Sequence, residues 1–493
     1  MTLPMAIDPG HGLIARVRGL AARQVIRQVL KRVPIDIELA DGTVLSGAPA
    51  QELTMGQTDA LAQDVQPGKM NTLSPLPRRP RIQVHQPRRF FSRVGRQAKI
   101  GIGEGYTEQE WGPAPGHDLA DVLLPFAERI TNAIPAPLRA LRGLVDQPLP
   151  TALRNTLSGA RRNVQAHYDL SNDLFATFLD PSLSYSSALF DDSLDWRAQS
   201  LEEAQLRKID AALDLAGVGE GTRLLEIGSG WGTLALRAAQ RGASVVTVTL
   251  SEEQAALARR RLEEAGAYAA PTPHSAASLL VGTGLARGGT ALAELPARST
   301  GLDELPRRGT AIADRVDLRL QDYREVEGEY DAIVSIEMVE AVGEEYWPTY
   351  FRTLDERLAP GGTAVVQAIT LPHQRYLSTR HSYGWIQKYI FPGGALPSLD
   401  AVHEVCAGHT SLRVEHARFF GQHYAETLRR WRQSFLARRD EVIALGFSER
   451  FVRVWEYYLA YCEAGFRGGA IDVAQIVLRR PNDVSAQVQA SLG

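Results

Sequence analysis

From about residue 160 onward, short apolar runs alternate with amphipathic stretches. The runs fall at 223–228, 244–250, 316–320, 330–336, 363–370, 411–420 and 472–480. Helical spacing fits between most of them, which predicts an α/β domain built on a mainly parallel sheet. Upstream, Leu13, Val17, Leu20, Val25 and Val29 recur at near-helical spacing with Arg between them, as on an amphipathic helix. The stretch 36-DIELADGTVLSG-47 alternates like a hairpin around an Asp-Gly turn, and 117–145 reads as helical. Residues 48–80 are polar and Pro-rich, and 266–313 are rich in Gly, Ala, Thr and Pro. Neither has a period, so both are expected to be flexible or disordered insertions. The division predicted is an N-terminal α+β domain at 1–145, a linker at 146–160 and a larger α/β domain at 161–493.

A chain of 493 residues that is 44% hydrophobic and 23% charged has the make-up of a globular protein with two or three domains. Its net charge of -3 conceals an uneven distribution. Gly10 to Val33 holds six Arg/Lys and no acid, and Val65 to Gly103 holds nine and no acid. Arg16, Arg23 and Arg27 fall on the predicted helix, and Arg88, Arg89 and Arg93 flank Phe90 and Phe91. These cations suit either an anionic bilayer surface or an ordinary solvated face. No nucleic-acid motif accompanies them, so no nucleic-acid partner is expected. Cys406 and Cys462 make neither a disulfide framework nor a metal-ligand spacing. With no spanning apolar run and no signal peptide, the expectation is a cytoplasmic protein that meets the inner membrane face peripherally. A homodimer is the candidate assembly.

Two stretches carry chemistry. In 224-LLEIGSGWGTLALRAA-239 a buried strand runs into Gly228, Gly230 and Gly232 and then a helix. Such a loop lets a ligand approach the backbone closely, but its G-x-G-x-G spacing is not the dinucleotide pattern. The run 330-YDAIV-334 leads into Glu337, Glu340, Glu344 and Glu345. Glu340 lies among Met338, Val339 and Val342, where burying a carboxylate is costly. Taken alone, Glu340 also fits a helix-start acid. Tyr424, Trp385 and Tyr389 fit aromatic core packing as well as a site or tunnel wall.

The glycine loop, with Glu226 two residues ahead of it, resembles the first motif of class I S-adenosylmethionine-dependent methyltransferases. Further segments, in order, resemble the cyclopropane-fatty-acyl-phospholipid synthases, also called mycolic acid cyclopropane synthases. They are 167-HYDLSNDLFATFLDPSLSYSSALF-190, 226-EIGSGWG-232, 249-TLSEEQ-254, 335-SIEMVEAVG-343, 388-KYIFPGGALPS-398 and 419-FFGQHYAETLRRW-431. The resemblance implies a Rossmann-like, mostly parallel seven-stranded sheet with a smaller N-terminal domain. It implies methyl transfer from S-adenosylmethionine to a cis double bond of a phospholipid acyl chain, through a carbocation.

The expected cofactor contacts are Tyr185, Ser186, Glu226, Gly228, Gly230, Gly232, Thr249, Leu250, Gln254, Asp322 and Tyr323. His167 and Tyr168 belong to an expected cover over the cofactor. The family's bicarbonate base implies a site at Glu340, Tyr424, Gln367, Ser187 (through its backbone) and Ile369. Gln367 stands where the family commonly has histidine, and Ala341 likewise. A cyclopropane is the expected product, with a methylene- or methyl-branched chain of the tuberculostearic type as the alternative. A methyltransferase for a small soluble acceptor and a non-catalytic lipid-binding protein stay open beside these.

Overall fold

The computed structural model describes residues 3–49, 79–129, 150, 153–156, 159, 171–269 and 312–481. Most of the two expected insertions and of the linker, together with His167 and Tyr168, lie outside the described residues.

In the N-terminal part, β1 (Asp36–Leu39) and β2 (Val44–Leu45) form the expected hairpin. β3 (Arg81–Val84) joins β1 in parallel and β4 (Trp111–Pro113) closes the sheet, in the order β2-β1-β3-β4. Ile37, Leu39, Ile82 and Val84 point inward and bury one face. Helices Pro87–Arg96 and Ala98–Thr107 pack beside it, with Phe90 and Phe91 in the core.

Arg93 is 1% exposed and donates to Glu110 at 2.7 Å and to Glu104 at 3.3 Å. A buried guanidinium must be paired, so Arg93 is an internal cation and not part of a basic surface. Arg89 also pairs with Glu110, at 3.1 Å, but stays exposed, as does Arg88. The first helix, Gly12–Leu30, behaves differently. It buries Ala15, Ala22 and Leu30 and turns Leu13 (76% exposed), Ile14, Val17 and Leu20 outward.

The second sheet contains all seven expected strands: β5 (Arg223–Ile227), β6 (Ser244–Thr249), β7 (Val316–Leu320), β8 (Tyr330–Ile336), β9 (Leu358–Thr370), β10 (Arg413–Phe419) and β11 (Asp472–Arg479). Their order is β10-β11-β9-β8-β5-β6-β7, parallel from β9 through β7 and antiparallel at β11 and β10. The chain winds outward from β5 in both directions. The ends of β5 and β8 therefore adjoin at the switch point where α/β sheets bind ligands.

Polar and aromatic contacts join the two parts. Glu104 accepts from Lys388 Nζ at 2.7 Å and Tyr389 OH at 2.9 Å. Asp118 holds Arg432 through two bonds of 2.8 Å. Tyr457 packs against Tyr106 and Trp111, and Trp385, stacked on Tyr389, lies against Gly103. Trp385 and Tyr389 are thus packing residues of this junction. Among the described residues, no helix is long and apolar enough to cross a membrane.

Candidate active site

The loop after β5 turns through three left-handed glycines, Gly228 (φ +97°), Gly230 (φ +49°) and Gly232 (φ +86°). A Cβ on Gly228 would lie 2.5 Å from Met338 Cγ, whereas one on Gly230 would meet nothing within 4 Å. The backbone is therefore open to a ligand at Gly230. Glu226 accepts from Thr247 Oγ1 at 2.6 Å, and burial pushes its carboxyl up to about 8 against that bond and the pull of Lys208.

Thr249 and Leu250 follow at the tip of β6, and the backbone N–H of Gln321 donates to the Thr249 carbonyl at 3.0 Å. Asp322 and Tyr323 stand one and two residues beyond Gln321, so these expected residues share one edge of the sheet. Several are engaged within the protein. Gln254 accepts from Thr249 Oγ1 at 3.1 Å. Asp322 accepts from Arg324 Nη2 at 2.7 Å and caps the short turn that follows. Ser186 Oγ accepts from the buried Lys208 Nζ at 2.6 Å. Gln254, Asp322 and Ser186 thus each make a hydrogen bond within the protein. Tyr323 packs its ring against Tyr350.

At the neighbouring strand end, Ile227 of β5 pairs with Ser335 of β8, and Ile336 pairs with Gln367 of β9. Glu337, the next residue, has a left-handed backbone at φ +53°. Its Oε1 accepts from the Ser187 backbone N–H and from Gln367 Nε2, both at 2.9 Å, and its Oε2 accepts from Tyr424 OH at 2.7 Å. Glu340, in the turn Val339–Val342, accepts from the Ile369 N–H at 2.5 Å through Oε1. Its Oε2 is buried with no hydrogen-bond partner.

All five expected residues therefore meet, but around two carboxyl groups. Glu337, and not Glu340, occupies the point where Ser187, Gln367 and Tyr424 converge. An acid at the first position past a buried strand is the one sequence signal for this, and it does not reveal the backbone angle that aims the side chain. The same geometry corrects the bicarbonate site. The donors expected to hold that ion end on an internal carboxylate, so the residues present do not fit it.

Burial raises the proton affinity of both glutamates. Glu340 is pushed up to about 8, with the charge of Glu337 adding to burial and the Ile369 amide opposing it. Glu337 is raised by burial, against the opposing pull of Ser187, Tyr424, Gln367 and Lys208. Both carboxyls therefore hold a proton more readily than an exposed glutamate, and the three donors on Glu337 favour its ionised form. Tyr424, raised far above the usual phenol range by burial and by Glu337, stays protonated and donates. Lys208, lowered to about 8 by burial, is held up by Glu337, Asp180 and Glu226.

Aromatic rings wall this group. Tyr424 lies on Phe466 at 4.5 Å and edge-on to Trp431 at 6.1 Å. Tyr185 stacks on Trp431 at 5.3 Å, and Phe175 links Tyr185 to Trp231 of the glycine loop. Trp231 Nε1 donates to Asn172 Oδ1 at 2.8 Å, so 171–175 lies against the glycine loop.

Residues 156–272 and 304–476 match the family described as mycolic acid cyclopropane synthetase. Tuberculostearic acid methyltransferase UfaA1 of Mycobacterium tuberculosis (strain ATCC 25618 / H37Rv) is 40% identical over 97% of this chain and 95% of its own. The cyclopropane-fatty-acyl-phospholipid synthase of Escherichia coli (strain K12) is 33% identical over 81% of this chain and 87% of its own. Among solved structures, the cyclopropane synthase MmaA2 from Mycobacterium tuberculosis superposes with a TM-score of 0.51 at 30% identity, over 64% of this chain and 97% of that one. The mycolic acid cyclopropane synthase CmaA1 complexed with SAH and CTAB gives 0.50 at 30% identity, over 64% and 97%. The chain belongs to the mycolic acid cyclopropane synthetase family and is an S-adenosylmethionine-dependent methyltransferase of the class I α/β fold.

Proposed function

We propose that this enzyme transfers the methyl carbon of S-adenosylmethionine to a cis double bond in a phospholipid acyl chain, leaving a methylene branch of the tuberculostearic type. The observation that carries this reading is a pair of glutamates, Glu337 and Glu340, held by Ser187, Gln367, Tyr424 and Ile369 and walled by aromatic rings, beside the glycine loop. Gly228, Gly230 and Gly232 would hold the cofactor's amino-acid portion, and Thr249, Leu250 and the Asp322–Tyr323 turn its nucleoside. When bound, the cofactor supplies an electrophilic methyl group.

The remaining work falls to this chain. An alkene is a weak nucleophile, so the walls must hold it close and in line. The resulting cation would be trapped by water, which the rings of Tyr185, Tyr424 and Trp431 exclude while their faces stabilise positive charge. A proton must then leave the added carbon to an acceptor in the same pocket. A hydride shift before that loss gives a methylene branch, and ring closure gives a cyclopropane. Identity to a tuberculostearic acid methyltransferase along nearly the whole chain favours the branch. Identity to a cyclopropane-fatty-acyl-phospholipid synthase keeps the ring as the second reading.

Access to lipid would come through the helix Gly12–Leu30. Its outward Leu13, Ile14, Val17 and Leu20 stand beside Arg16 and Arg27, both exposed. Each cation near an anionic bilayer contributes about 1 kcal/mol, screened by salt. The test is incubation with methyl-labelled cofactor and oleoyl-phospholipid vesicles, followed by NMR of the extracted lipid. A terminal methylene signal is expected, and upfield cyclopropane protons would select the second reading. Label absent from lipid would overturn both.

A further inference from the structure

We propose that the Glu337 carboxylate is itself the proton acceptor of the reaction and replaces a bound bicarbonate ion, so that the enzyme turns over without bicarbonate. This inference rests on the methyl-transfer reading above and adds the identity of the base. Three donors converge on the side chain: the Ser187 N–H, Gln367 Nε2 and Tyr424 OH. That is the environment of a bound carboxylate-like anion, and a side chain of this protein fills it. Oε1 accepts two hydrogen bonds and so uses both of its lone pairs, whereas Oε2 accepts one and keeps a lone pair free.

The backbone supports the same assignment. Glu337 holds a left-handed conformation that side-chain-bearing residues rarely adopt. Strained positions of this kind persist where the surroundings over-determine them, and they cluster at working sites. Here the strained residue is the one whose carboxylate gathers the donors. The cradle, Ser187 and Gln367, is buried, while Glu337 keeps partial exposure and can be reached by a substrate. The neighbouring Glu340 accepts from the Ile369 N–H through Oε1, and its Oε2 is buried without a hydrogen-bond partner among the described residues.

In the step itself, one C–H bond of the added carbon breaks. Its electron pair forms the new C=C bond of the methylene branch, or the closing C–C bond of a ring. The proton passes to Oε2 of Glu337, which becomes a neutral carboxylic acid and returns the proton to solvent as the product leaves. No oxidant or reductant is needed.

Two variants separate this from a bicarbonate mechanism. Glu337→Gly relaxes the backbone and frees the three donors for an external anion, and Glu337→Gln keeps the shape without the basicity. The full-length protein is assayed with oleoyl-phospholipid vesicles in buffer stripped of carbon dioxide, with and without millimolar bicarbonate. The wild type should run equally well in both. Glu337→Gly should fall by about 100-fold or more, the scale of a lost general base, and recover with bicarbonate. Glu337→Gln should fall comparably and not recover. A wild-type rate that collapses on stripping and returns with bicarbonate overturns the proposal, as does either variant running at wild-type rate in stripped buffer. Cofactor binding by calorimetry confirms that each variant is folded. A second readout needs no turnover. The line width of 13C-bicarbonate should broaden with Glu337→Gly and not with wild type, and broadening by wild type overturns the proposal. If no condition puts label into lipid, the methyl-transfer reading fails, and the line-width result still decides what occupies the three-donor cradle.

Discussion

Replacing Tyr424 with Phe removes one hydroxyl and leaves the ring on Phe466 and Trp431, so the helix Gly421–Ala437 should keep its packing. What is lost is the 2.7 Å bond from the phenol to Glu337 Oε2. A hydrogen bond to a charged group is worth roughly 1.5–3 kcal/mol, which at fixed pH is about a ten- to hundredfold loss in kcat/KM. The bond favours the ionised form of Glu337, so its removal raises a carboxyl that burial already holds high. The acidic limb of the pH–rate profile should therefore move to higher pH, with part of the lost rate regained under alkaline conditions.

Stability should respond in the same sense. A glutamate raised in the folded protein costs stability as pH rises from the unfolded chain's value through the folded one. The variant should therefore melt increasingly below the wild type as pH rises. The assay is kcat/KM from pH 6 to 9 with oleoyl-phospholipid vesicles, alongside thermal melts. A uniform loss of rate with an unmoved acidic limb would show that Tyr424 does not act through Glu337.

Glu340→Gln mimics the protonated form, so it should keep most of its turnover at pH 7. Because Glu340 titrates near 8 when folded, the wild type loses stability from the usual glutamate range up to that value. The variant's Tm relative to wild type should rise between pH 5 and pH 9, and a constant difference would contradict the assignment. Gly228→Ala forces Met338 aside as well as straining a left-handed residue, whereas Gly230→Ala meets open space. Calorimetry with S-adenosylmethionine should find the larger affinity loss at Gly228 if Met338 helps shape the cofactor loop. Leu13→Asp with Leu20→Asp should leave the circular dichroism unchanged, since both side chains are exposed, but should reduce co-sedimentation with anionic vesicles. Unchanged sedimentation would remove that helix as the docking surface.

The catalytic sheet was legible because its strands are apolar runs separated by helical stretches, a contrast that needs no tertiary information. β9 begins at Leu358 instead of 363 because Pro360, Gly361 and Gly362 look like a turn, yet Leu358 already pairs with Tyr330 of β8 before a register shift brings Thr363 opposite Ala332. β3 was passed over because Ile82 and Val84 alternate with Arg81 and Gln83 in a run of only four residues. The basic segment misled for a related reason. A stretch without acids looks like a surface, but Arg93 finds Glu104 and Glu110 once the chain folds back. At the site, residue types named residues that the fold does gather, but Ser187, Gln367 and Tyr424 bond Glu337 and only Ile369 of that group bonds Glu340. Glu340 stands among apolar neighbours and looks buried, whereas Glu337 is set apart by a dihedral angle that residue identity does not encode.

The junction between the two parts has a practical corollary. Removing the first 145 residues would strand Lys388 and Tyr389 without Glu104, leave Arg432 without Asp118, and take Gly103 from the indole of Trp385. A shortened enzyme would therefore lack contacts that the whole chain makes, and would be a poor surrogate for it.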